Sequence, residues 1–220
     1  MNQELKQYIE NNIFPIYDRY YSHGMLHINN VINNCLMLAA YYHLDSNKAY
    51  TIAAYHDVGL CVNRNNHEKE SGKIFIQDQQ MKKYFSDVEI EEMKEAIEDH
   101  RGSRKDPPRN MYGKILSDSD RDFDIKILAK RQLATSIKNY PDLTTFDEHF
   151  ERCYSYMTKR IEGFGHFNLW TNNPILIEQR DNFEKDYLNK EYAKKIYKEE
   201  WERISANGTI DKIKNYYVDY

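Results

Sequence analysis

Apolar positions recur at three- and four-residue intervals along most of the chain, and strict alternation is sustained nowhere. The spacing of Ile28, Val31, Ile32, Cys35, Leu36, Leu38 and Ala39 predicts an amphipathic helix over residues 25–43. A shorter helix is predicted over 2–13. Asp45 or Ser46 is suited to cap a third, which runs to about Val58 and stops at Gly59. Residues 67–83 and 87–99 give two more. The second of these starts at Ser86-Asp87, with Glu89 and Glu91 where negative charge meets the positive end of the helix. Pro107 and Pro108 make residues 101–110 a loop. Helix is predicted again over 111–137, bent near Asp118–Asp120, and over 144–162. Residues 174–206 give one or two final helices, with Gly208 near the stop. With no hairpin pattern anywhere, the predicted fold class is all-α, a compact helical bundle. The whole chain is expected to form a single domain, 1–220, with a core over about 20–136 and a helical extension or cap over about 137–220.

Composition narrows the partners. A chain of 220 residues with 40% hydrophobic content is long enough to bury a substantial core. Charged residues make up 30% and the net charge is −4, so the basic excess of a nucleic-acid binder is missing. A small phosphorylated ligand needs only a local positive patch. Cys35, Cys61 and Cys153 are widely spaced, which supports neither a disulfide framework nor a cysteine zinc site. Reduced thiols in a cytoplasmic protein are the expectation. The first residues lack the basic start and apolar stretch of a signal peptide. No apolar run approaches the roughly 18 residues needed to span a membrane.

The candidate chemistry lies in histidines and aspartates. His56-Asp57 sits in the apolar run 51–59, with His27 upstream and His67, His100 and Asp118 downstream. Imidazole nitrogen and carboxylate oxygen together suit divalent metals. A lone His-Asp pair among eight histidines arises easily by chance. Neighbours on a helix point about 100° apart, so one metal meets both only near a helix end. Gly59 predicts such an end. Asp118 follows Ile115-Leu116, and a carboxylate buried there needs a partner, which a metal would provide. His23 is four residues from His27 and is expected to orient it or a water. His43, His149 and His166 are expected to lie apart from the metal. His166, between Gly165 and Phe167, marks a glycine-flexed loop suited to close over a pocket.

The order and local context of these residues resemble the HD-domain superfamily of metal-dependent phosphohydrolases. His27-Ile28-Asn29-Asn30-Val31 is similar to the family's first-histidine turn, and Ala53 to Gly59 to its apolar segment around the His-Asp pair. His67-Glu68-Lys69-Glu70-Ser71, Ile97 to Ser103 and Ile115 to Arg121 resemble its later motifs, so the likeness covers about residues 20–125. The resemblance implies that His27, His56, Asp57 and Asp118 hold one divalent metal, with Mn, Fe, Ni, Co, Mg and Zn as candidates. His67 and His100 would then bind a second metal or contact the substrate phosphate. One departure stands out. Some nucleotidase members carry an acid shortly after the His-Asp pair, whereas Val58 to Val62 is apolar or small here.

The expected function is hydrolysis of a phosphate ester or anhydride of a nucleotide or related small molecule. Asp57, His67 and His100 are the expected catalytic groups. Asp57 would orient a metal-activated water, and a histidine would either protonate the leaving group or ligate a second ion. Arg101, Lys73 and Arg104 are the expected phosphate-binding cations, Arg101 foremost because it follows His100. Arg121 is expected to pair with Asp118, Asp120, Asp122 or Asp124, and the extra aspartates to form a helix-surface cluster. Two alternatives stand beside this reading: a catalytically silent sensor that binds metal and nucleotide, and a di-iron oxygenase of HD-like fold.

Overall fold

The structure, a computed structural model, describes residues 1–163 and 167–215. His166 and its proposed closing role lie outside the described residues. All regular structure among the described residues is helical, as expected.

The chain divides into two compact units. The first comprises Met1–Asp18, Met25–Arg121 and Leu169–Asn173. It holds α1 (Gln3–Asn12), α2 (Met25–Tyr41), α3 (Ser46–Tyr55), α4 (His67–Gln77), α5 (Asp87–Asp99) and α6 (Met111–Ser119). Here α2 packs against α3 and α6, and α5 packs against α4 and α6. Ile28, Val31, Cys35 and Leu38 give α2 the buried stripe that their spacing predicts. Asp45 caps α3 by accepting from the amides of Asn47 and Lys48, and Ser86 with Glu89 forms a reciprocal capping box on α5.

The second unit comprises Arg19–Gly24, Asp122–Asn168 and the chain from Pro174 onward. It holds α7 (Ile125–Asn139), α8 (Phe146–Glu162), α9 (Pro174–Leu188), α10 (Lys190–Ala206) and α11 (Thr209–Asn215). Leu133, Phe150, Phe183, Tyr187 and Tyr197 form its buried centre.

Several boundaries differ from the sequence expectation, each for a local reason. The helix expected over 111–137 is two helices. Asp120 closes α6, and the Asp124 side chain caps α7 through the Lys126 amide. Helix α4 ends at Gln77 rather than near residue 83. There Asp78 turns out of the helix and accepts from the hydroxyls of Tyr8 and Tyr55 at 2.8 and 2.6 Å. Gly208 takes a left-handed φ of 68°, but the chain resumes helix in α11 instead of stopping.

Candidate metal centre

Helix α3 stops at Tyr55, sooner than Val58, and this decides how the His-Asp pair is presented. His56 keeps helical dihedrals as the C-cap, while Asp57 leaves the helix at φ −111°, ψ 6°. The 100° divergence of helical neighbours therefore does not apply, and both side chains turn to one centre. The chain continues through a 3-10 turn, Val58–Cys61, which lies against α4. Gly59 donates its amide to Ser71 Oγ at 2.8 Å. A Cβ on Gly59 would lie 2.2 Å from the His67 carbonyl oxygen and 2.5 Å from the Ser71 nitrogen. Only glycine permits this approach, which sets His67, the first residue of α4, beside Asp57.

Asp57 is the hub. Its Oδ2 lies 3.7 Å from His27 Nε2 and 3.3 Å from His56 Nε2. Its Oδ1 lies 3.4 Å from His67 Nε2 and 3.6 Å from His100 Nε2. One carboxylate thus faces two histidine pairs with its two oxygens. The rings form a continuous series, His27–His56–His100–His67, with centroids 5.4, 5.1 and 5.2 Å apart. His27, His56 and His100 are buried, and His67 is partly exposed.

Three of the four imidazoles are fixed by one local device. Nδ1 of His56, His67 and His100 lies 2.7, 2.8 and 2.6 Å from the carbonyl oxygens of Ala53, Arg64 and Ile97, each three residues back. A carbonyl only accepts, so each Nδ1 carries a proton directed to the backbone and each ring turns its Nε2 to the centre. Nε2 of His56 and of His100 is buried without a hydrogen-bond partner, a costly state for a polar atom that a bound cation would relieve. The spacing fits as well. Ligands about 2.1 Å from an ion stand about 3.0 Å apart in an octahedron and about 3.4 Å apart in a tetrahedron. In two donor groups, His27–His56–Asp57 and Asp57–His67–His100, the donor atoms all lie within 4.8 Å of one another, and the Asp57 contacts of 3.3–3.7 Å come near that spacing.

Burial and the facing carboxylates set the electrostatics of the centre. Burial works against a proton on His56, but Asp57 and Asp120 outweigh it and raise the ring's proton affinity. Burial keeps the proton affinity of His67 below the ordinary imidazole value despite Asp57. Burial also opposes ionisation of Asp120, yet His27 and His56 hold its carboxyl well below the usual carboxylate range.

The last result corrects the expected ligand set. Asp120, not Asp118, faces the histidines, with its Oδ1 3.2 Å from His27 Nε2 and 3.8 Å from His56 Nε2. Asp118 directs its oxygens to the backbone amides of Trp170 and Thr171 and to the Thr171 hydroxyl. Two residues along a helix subtend about 200°, so the two aspartates on this turn look in opposite directions. The surface cluster expected for Asp120 and Asp122 is also revised. Asp122 is buried and pairs with Arg131 in the second unit. His23, expected beside His27, sits in the second unit between Ser22 and Arg131.

The expected phosphate-binding cations separate similarly. Lys73 lies about 240° around α4 from His67 and pairs with Glu70 at 2.8 Å on an exposed face. Arg104 reaches back to the buried Asp99 at 2.8 Å. Arg101 alone stays at the α4 end of the centre, with Nη1 2.5 Å from the Asn65 carbonyl oxygen and 3.4 Å from Glu68 Oε2. Glu68, largely buried and 3.6 Å from His67 Nδ1, is a site residue that the sequence reading passed over. Its only sequence signal is its place directly after His67.

A family model, the HD domain, matches residues 25–124. No curated protein and no solved structure matches the chain.

Proposed function

Since residues 25–124 belong to the HD-domain superfamily, we propose that this protein is a metal-dependent phosphohydrolase acting on a phosphate ester or anhydride of a nucleotide or related small molecule. The observation that carries the reading is Asp57, whose two oxygens each face a separate pair of imidazole nitrogens. That donor set suits two adjacent divalent ions with Asp57 shared between them. His27, His56 and Asp120 would complete the first site, and His67 with His100 the second. Ions bound there would supply Lewis acidity, lowering the pKa of a coordinated water and offsetting charge on a phosphoryl oxygen.

The chain's own groups do the remainder. His67 and His100 each direct Nδ1 to a backbone carbonyl, which leaves Nε2 of each ring to face the centre as a donor. Arg101 is half-exposed and holds its guanidinium at the α4 end of the site, where it is suited to grip a phosphate oxygen. Glu68 and the Asn65 carbonyl keep it there. The proposed partner is a small phosphorylated molecule and the proposed location cytoplasmic. No helix among the described residues is long and apolar enough to cross a membrane.

A screen of phosphomonoesters and nucleotide anhydrides with Mn, Co, Ni or Mg tests the reading. Metal-dependent phosphate or pyrophosphate release, abolished by a chelator, is the expected result. Tight nucleotide binding without turnover under every metal would replace it with a sensor. The two histidine-rich donor groups taken together also suit two irons, which makes a di-iron oxygenase the second reading. Dioxygen uptake by the iron-loaded protein, with no phosphate release, would establish that alternative.

A further inference from the structure

The Asp118 carboxyl is fully buried and hydrogen-bonded entirely within one distant segment among the contacts described. Leu169–Asn173 belongs to the first unit although the chain on both sides of it belongs to the second. The Trp170 amide donates to Asp118 Oδ1 at 2.9 Å, and the Thr171 amide donates to Oδ2 at 2.8 Å. The Thr171 hydroxyl adds a third bond to Oδ2 at 2.6 Å. Two successive amides and a hydroxyl on one carboxylate fix both position and rotation. The Thr171 carbonyl in turn accepts from the hydroxyl of Tyr42, just beyond α2, at 2.7 Å. The segment thus fastens α6 to the end of α2. Those two helices also present Asp120 and His27, which meet 3.2 Å apart. Asp118 and Asp120 share the last turn of α6, and Ser119 between them bonds back to the Ile115 carbonyl at 2.6 Å. A displacement of Asp118 is therefore passed to Asp120.

We propose that Leu169–Asn173 is a positioning strap for the metal centre, hooked by Asp118, which holds Asp120 against His27 in the geometry that binds a cation. The inference rests on the reading of His27 and Asp120 as metal ligands. It also makes metal binding by the HD domain depend on residues beyond the stretch 25–124.

The full-length protein, treated with chelator, would be titrated calorimetrically with Co²⁺, and the visible spectrum of the loaded form recorded. Thr171→Val removes one hydrogen bond, Thr171→Ser keeps it, and Asp118→Asn disrupts the hook. Asp120→Asn serves as the ligand control. Circular dichroism identifies the variants that are folded before titration. Thr171→Val and Asp118→Asn are expected to weaken Co²⁺ binding about 10-fold or more and to alter the spectrum, because supporting contacts of a metal site commonly matter by 10–100-fold. Thr171→Ser should restore both. Folded Thr171→Val with unchanged affinity and spectrum, beside an Asp120→Asn that has lost the ion, overturns the strap and leaves the ligand reading intact. Unchanged binding by Asp120→Asn overturns the ligand reading, and the strap with it.

Discussion

Removing the shared carboxylate should cost two ions, whereas removing one outlying histidine should cost one. Asp57 contributes an oxygen to each donor group, and His100 contributes a nitrogen to one only. A site saturated at 100 times its dissociation constant stabilises the folded state by about 2.7 kcal/mol. The unit that holds the centre has about 120 residues, so its unfolding entropy is about 0.25 kcal/mol/K. Each filled site then raises the melting temperature by about 11 °C. The unaltered protein should melt about 20 °C above its chelated form under such metal. His100→Ala should retain about half of that rise, and Asp57→Ala almost none. Differential scanning calorimetry with and without chelator measures the shifts, and elemental analysis after desalting counts the ions. A full metal complement and an undiminished shift in Asp57→Ala would refute the bridging role. An equal loss in His100→Ala and Asp57→Ala would refute the division into two sites.

Four further outcomes rest on particular contacts. Gly59→Ala forces a methyl group against the backbone of His67 and Ser71, which cannot yield as a flexible side chain would, and should destabilise the protein by about 3 kcal/mol in urea titration. Arg101→Ala should raise KM at least about tenfold with a smaller change in kcat, since a charged hydrogen bond to phosphate contributes about 1.5–3 kcal/mol. Lys73→Ala, which breaks only an exposed pair, should change neither activity nor stability by more than about 0.5 kcal/mol. His149 in the second unit is buried against Ser136, and burial lowers its proton affinity below the unfolded value of about 6.5. The unfolded chain therefore binds this proton more readily, so its effect on stability is absent above pH 6.5 and grows unfavourable as the pH falls below it. Urea midpoints of the chelated protein minus those of His149→Gln should drop between pH 7 and 5.5, and a flat difference would remove His149 from the account.

Much of the frame is legible along the chain because helices repeat every 3.6 residues and announce their starts. The stripe of α2, the Asp45 cap and the start of α5 at Ser86-Asp87 all appear in the structure at the expected positions. His27, His56, Asp57, His67 and His100 are likewise recognisable from their local contexts, and the fold brings all five together. The divisions within 111–137 and after Gln77 were less legible. The first depends on side-chain caps that compete with continuous helical spacing, and the second on tyrosines about 20 and 70 residues away.

By itself, the sequence determined the all-α class, the helix faces and which histidine contexts to compare, since each of these depends on neighbours within a turn or two. The tertiary structure decided which of two aspartates on one turn meets the histidines. It sent Asp118 to amides 52 and 53 residues onward and left Asp120 beside His27. It also paired Arg101 with Glu68 beside His67, Lys73 with Glu70 and Arg104 with Asp99, and turned both oxygens of Asp57 to separate histidine pairs. The physical reason is the same in each case. A carboxylate or guanidinium goes where a partner awaits it, and for Asp118, Asp120 and Arg101 that partner is supplied by a distant part of the chain.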